Sequence, residues 1–113
     1  MKLIIAYIRP EQLNAVKKSL FSKKIYGMSV TNCLGAGRQK GFTETYRGVV
    51  MEVNLLKKIR LEVGLPDEKV QEGLDAITAG ARTGSEGDGM IFVLNVEKTR
   101  RIRTGEEDGT AVN

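Results

Sequence analysis

Gly35-Ala36-Gly37-Arg38-Gln39-Lys40-Gly41 has the residue types needed to hold an anion. Glycines let a ligand approach main-chain N–H groups, and Arg38 and Lys40 supply cationic donors with the Gln39 amide between them. The polar run Phe42-Thr43-Glu44-Thr45-Tyr46-Arg47-Gly48 follows, so four glycines fall in fourteen residues and disfavour a regular helix or strand interior. The same composition also describes an ordinary solvated loop. A second turn, Gly84-Ser85-Glu86-Gly87-Asp88-Gly89, has three glycines in six residues. A basic run, Lys98-Thr99-Arg100-Arg101-Ile102-Arg103, is followed closely by Glu106-Glu107-Asp108. It reads either as a solvated face or as a patch for nucleic acid or a phosphorylated small molecule.

The whole chain narrows the chemistry. At 113 residues it makes one domain, 1–113, with room for a core. Hydrophobic content of 41% and charged content of 28% suit a soluble globular protein. No apolar run approaches the roughly 20 residues of a membrane span. Arg9-Pro10 interrupts the apolar start too early for a signal peptide. Cys33 is the only cysteine, which excludes an internal disulfide, and the cytoplasm is the expected location. With no histidine, neither Ser-His-Asp nor Cys-His catalysis, nor a His-containing zinc site, can be built within the chain. The net charge of +4 is modest.

Apolar spacing gives the elements that must position these residues. Leu3 to Ile8 reads as a buried strand. Pro10 and Glu11 suit a helix start, and Leu13, Val16, Leu20 and Phe21 give a helix over roughly 11–23 one buried face. A strand over about 28–35 carries Val30 and Leu34 on one alternation, with Ser29, Thr31 and Cys33 on the other. A long loop spans 36–49, and 50–55 resumes as a strand. Ile59, Leu61, Val63 and Leu65 then alternate cleanly with Arg60, Glu62 and Gly64. Pro66-Asp67-Glu68 starts a second helix with Val70, Leu74, Ile77 and Ala81 inward, ending near 82–84. Met90 to Val96 is another strand, 101–103 extends or follows it, and the tail 105–113 is polar and loose. The class is α+β, in the βαββαβ order of a ferredoxin-like sandwich: an antiparallel sheet with two helices on one face. Two glycine turns and a basic strand end converging at one sheet edge would make a phosphate site.

Five motifs in order carry a resemblance. Gly-Arg-Gln-Lys-Gly at 37–41, Tyr-Arg-Gly at 46–48, Ala-Arg-Thr-Gly at 81–84, Gly-Asp-Gly at 87–89 and Arg-Ile-Arg-Thr-Gly at 101–105 resemble the PII signal-transduction family. The match runs end to end at matching spacings, including Ile8-Arg9-Pro10 and Lys58-Ile59. It implies a homotrimer with ATP or ADP, and by extension AMP, in each cleft between neighbours, and 2-oxoglutarate beside Mg-ATP. It also implies a binding protein rather than an enzyme. The long loop, the family's T-loop at about 37–55, would engage a target such as an ammonium transporter or a nitrogen-metabolism enzyme. A membrane enters only through a transporter partner, and nucleic acid is not an expected partner.

By the same resemblance, Gly35, Gly37, Arg38 and Gln39 lie along the nucleotide phosphates, and Gln39 ligates Mg. Lys58 pairs with the distal carboxylate of 2-oxoglutarate, which Gly37, Gln39, Lys40 and Gly41 help enclose. Ser29, Glu62 and Gly64 match positions near base and ribose. Gly87, Asp88 and Gly89 match a second phosphate loop, and Arg101 and Arg103 match two phosphate cations. Tyr46, Arg47 and Gly48 form the loop tip, and in transporter-binding relatives the matching arginine enters the channel pore.

Three departures from the family stand out. Met51 replaces the tyrosine of uridylylated relatives, and Val49 replaces a serine that some relatives phosphorylate, so control falls to ligands. Glu86 and Met90 stand where an apolar residue and a phosphate-binding lysine are usual. One cation lost and one anion added beside a polyphosphate disfavour ATP more than ADP or AMP, which keeps open a divergent sensor of adenylate charge or of another metabolite outside nitrogen control. That in turn bears on 2-oxoglutarate, which needs Mg-ATP. Two readings of other classes share the element order. An RNA-recognition module stacks bases on aromatics of its central strands, and 59–65 has none. A small phosphatase could use Glu62 and Asp88, but no activated nucleophile accompanies them.

Overall fold

The computed structural model describes residues 1–36, 44–46, 49–51 and 55–108. Four strands, β1 (Lys2–Ile8), β2 (Ser29–Ala36), β5 (Leu55–Leu65) and β6 (Gly89–Asn95), form one sheet in the order β2-β5-β1-β6. All three ladders are antiparallel. Helices α1 (Leu13–Ser22) and α2 (Val70–Ala81) bury their apolar stripes against one face. This is the ferredoxin-like arrangement.

The core follows from strand alternation meeting helical period. Ile4, Ala6 and Ile8 of β1 and Ile59, Leu61, Val63 and Leu65 of β5 point to the helices, where Val16, Leu20, Ala76, Ile77 and Ala81 meet them. Helix α2 also buries Gly73 and Gly80. A Cβ on Gly80 would sit 2.6 Å from the Val16 Cα, so the helices touch backbone to backbone there. Pro10 and Pro66 start the turns ahead of the two helices, and Pro10–Gln12 and Asp67–Lys69 are short 3₁₀ turns rather than α-helix.

Several expectations need correction. Phe21 is 48% exposed and packs on Tyr26, with ring centroids 5.7 Å apart, because it lies past the edge of the buried stripe. Val30 and Leu34 share the helix side of the sheet, yet both are exposed, since β2 is an edge strand that the helices do not cover. The strand expected over 50–55 is two things: β4 (Val49–Met51) pairs with β3 (Glu44–Tyr46) as a separate hairpin, and Leu55 already belongs to β5. Arg101–Arg103 is a turn rather than strand, and the tail is not loose up to 108.

The sheet face away from the helices has two halves. On β2 and β5 it presents Ser29, Thr31, Cys33, Lys58, Arg60 and Glu62. On β1 and β6 it presents Leu3, Ile5 and Tyr7 beside Leu94, Phe92 and Met90. Phe92 is 51% exposed and Met90 61%, an apolar surface open in the single chain.

Candidate functional site

β1 stops at Ile8, level with Ile59 and Gly89, because Arg9-Pro10 turns toward α1. Lys58 lies one residue beyond that end, and its Nζ donates to the Gly87 carbonyl oxygen at 2.6 Å. Cys33 is its partner on β2, and Gly35 follows on the same face. A Cβ on Gly35 would lie 3.3 Å from the Lys58 Cγ, so the glycine leaves room for the lysine stem. Gly35, Lys58 and Gly87 are thus contiguous, although 52 residues separate the first from the last in the sequence.

The turn before β6 is held from inside. The Asp88 carboxylate accepts from Thr83 N–H at 2.8 Å, Gly84 N–H at 2.9 Å, the Thr83 hydroxyl and Arg9 Nε at 3.1 Å. These bonds, foremost the Thr83 hydroxyl and then its N–H, hold the Asp88 carboxyl well below the ordinary carboxylate range. Arg9 also donates from its terminal nitrogen to the Glu86 carbonyl at 2.5 Å. Gly89 has φ +114, and a Cβ there would lie 1.7 Å from the Tyr7 carbonyl oxygen, so its glycine is a steric requirement of the β1–β6 ladder.

Other candidates lie at the opposite end of the sheet. Ser29 pairs with Glu62, and Gly64 with Leu3. Glu62 accepts from Arg60 Nε at 3.0 Å, and Arg60 reaches the Tyr7 hydroxyl at 3.3 Å. β6 leaves the sheet at this end, where Val96 N–H bonds to the Met1 carbonyl at 3.1 Å. The basic run then folds back on its own acids: Glu107 bridges Lys98 at 3.1 Å and Arg100 at 3.3 Å, and Arg101 N–H bonds to the Glu106 carbonyl at 2.8 Å. Arg101, Ile102 and Arg103 occupy the turn, with Ile102 fully exposed. From Ser29 to Gly35 along β2 is about 20 Å at the usual strand rise. One chain therefore brings Gly35, Lys58, Gly87, Asp88 and Gly89 together and sets Ser29, Glu62 and Gly64 apart from them, while the run that carries Arg101 and Arg103 follows β6 out of that far end.

Gly37, Arg38, Gln39, Lys40, Gly41, Arg47 and Gly48 lie outside the described residues. Tyr46 ends β3. Among the described residues no three His, Cys, Asp or Glu side chains group as a metal site, and no helix is long and apolar enough to cross a membrane. Arg9 and Thr83 were not legible as site residues. The only signal for either was its place in the matching motifs, since their partner Asp88 lies 79 residues from Arg9.

The sequence model described as Nitrogen regulatory protein P-II matches residues 1–106. The chain is 50% identical over 112 residues to a Nitrogen regulatory protein P-II of Haemophilus influenzae, covering 99% of this chain and 100% of that one. Coverage is the same for the 48% identical protein of Pasteurella multocida and the 47% identical Nitrogen regulatory protein P-II 1 of Escherichia coli. This chain belongs to the P-II family. P-II proteins are regulators that act by signal transduction, not enzymes. The phosphatase reading falls with that.

Proposed function

We propose that this P-II chain is a homotrimeric sensor that binds adenine nucleotides between neighbouring copies and reports their identity through its T-loop to a target protein. The observation that carries the reading is the split of the candidate residues between the two ends of the sheet. A nucleotide beside Gly35, Lys58 and Gly87 is far from Ser29 and Glu62 of the same chain, and the basic run follows β6 out of that far end, so in this reading a second copy supplies Ser29, Glu62, Arg101 and Arg103. The apolar half of the open face, Leu3, Ile5, Phe92 and Leu94, gives copies a surface to bury.

Gly37 and Arg38 grip the phosphates in this reading, and Tyr46, Arg47 and Gly48 meet the target, an ammonium transporter or a nitrogen-metabolism enzyme. Lys58 reaches the place for 2-oxoglutarate, with Gly37, Gln39, Lys40 and Gly41 closing it, and Gly35 beside Lys58 belongs with the phosphates. The donor chemistry suits Mg, a hard cation that prefers oxygen ligands and keeps company with phosphates. Gln39 offers one amide oxygen, and the nucleotide supplies the rest. Glu86 and Met90, both exposed beside the Gly87 turn, favour ADP and AMP over ATP. That bias favours a second reading within the same family, a sensor of adenylate charge rather than of 2-oxoglutarate. Calorimetric titration with ATP, ADP and AMP, each with and without Mg and 2-oxoglutarate, tests the proposal. ADP binding tighter than ATP supports it, and no binding of any adenine nucleotide overturns it.

A further inference from the structure

We infer that Arg9 and Lys58 form a two-cation clamp that presets the 84–88 turn for a phosphate, so that nucleotide affinity depends on Arg9, a residue on the inner side of the turn. This rests on the nucleotide reading above and extends it to positioning residues.

Three acceptor groups of the turn are taken by cations from within the protein. Arg9 spans two of them, the Asp88 carboxylate at 3.1 Å and the Glu86 carbonyl at 2.5 Å. Lys58 takes the third, the Gly87 carbonyl, at 2.6 Å. A carbonyl or carboxylate oxygen facing a phosphate repels it, so cations held on these three acceptors favour an anion at the turn. Arg9 can do this because its side chain is 16% exposed and anchored next to Pro10 at the end of β1. Its planar fork serves a carboxylate and a carbonyl together, which an ammonium does not match. Lys58 is held over the turn by the central strand. With both cations in place the turn is shaped before a ligand arrives, and that pre-organisation appears as affinity.

The test measures ADP and AMP binding to the full-length wild type, Arg9→Met and Arg9→Lys, with thermal melting and oligomer size measured without nucleotide. Arg9→Met is expected to weaken ADP about tenfold, the scale of one charge-assisted hydrogen bond. AMP should suffer less, Arg9→Lys should recover only part of the loss, and oligomer size should not change. A second measurement does not depend on Arg9 variants folding: amide exchange across 84–88 in Lys58→Met should run about tenfold faster than in the wild type, with β1 and β5 unchanged. Wild-type binding with Arg9→Met equal to it, or unchanged exchange in Lys58→Met, overturns the clamp alone. A wild type that binds neither ADP nor AMP overturns the nucleotide reading itself.

Discussion

A Cβ on Gly89 would lie 1.7 Å from the carbonyl oxygen of Tyr7. The glycine sits at φ +114, where side chains are strained even without a neighbour. Gly89 was expected to contact phosphate, and the fold gives it a separate duty at the first rung of the β1–β6 ladder. Gly89→Ala should therefore lower stability by about 3 kcal/mol or more, because strain and overlap act together. Urea unfolding midpoints check this, and a loss within experimental error would contradict it.

Helix contact gives a parallel case. Gly80 lies against the Val16 backbone, with 2.6 Å from a hypothetical Cβ to the Val16 Cα. Gly80→Ala must push α1 and α2 apart, for an expected cost of about 1–3 kcal/mol. The melting temperature should fall, while the ends of the sheet that carry the candidate site keep their geometry.

Asp88 makes stability depend on acid. Its carboxyl is held below the ordinary value of 3.8 by Thr83, Gly84 and Arg9. A depressed folded value contributes stability that is fully present above the unfolded value and is lost as pH falls below it. Asp67, lowered by the N-terminal amine and Lys2, adds in the same direction. Unfolding midpoints should fall as pH drops below about 4, and Asp88→Asn should flatten that fall while lowering the plateau at neutral pH. A profile unchanged in Asp88→Asn would contradict the network.

The apolar half of the open sheet face predicts assembly. Phe92 is 51% exposed and Leu94 46%. Phe92→Glu places a charge where copies are proposed to meet, and burying it unpaired is costly. Light scattering should show trimers for the wild type and monomers for Phe92→Glu. Monomeric wild type would contradict the arrangement.

Met90 lies at the start of β6 beside the Gly87 turn and is 61% exposed. Met90→Lys restores a cation there and should tighten ATP about tenfold, the value of a charge-assisted contact. ATP affinity unmoved by the substitution would show that residue 90 does not face the phosphates.

Much of the fold was legible because alternation and helical period are local. Ile59, Leu61, Val63 and Leu65 announce β5, and Pro10 and Pro66 announce the helix starts. Residues 56–58 of β5 were not legible as strand, since they run past the helices and neither face acquires a buried apolar pattern. Phe21 misled because hydrophobicity does not say where a buried stripe ends. The 99–108 turn was hidden since its order comes from Glu106, Glu107 and Asp108 folding onto residues 98–101, a pairing that composition does not specify. The family motifs marked the candidate residues. The grouping of Gly35 with Lys58, and their distance from Ser29, come from the β2–β5 register, and Gly87 joins them through the Lys58 hydrogen bond.

The most direct test asks whether a site is made from two copies. One variant, Arg38→Glu, damages the proposed half at the T-loop base, and another, Arg101→Ala with Arg103→Ala, damages the proposed far half. Each alone should fail to bind ADP at concentrations that saturate the wild type. Co-assembled at equal amounts, they should regain ADP binding in about a quarter of the clefts, as random mixing around a closed ring requires. Co-assembled oligomers that bind no ADP would contradict a nucleotide site shared between neighbouring chains.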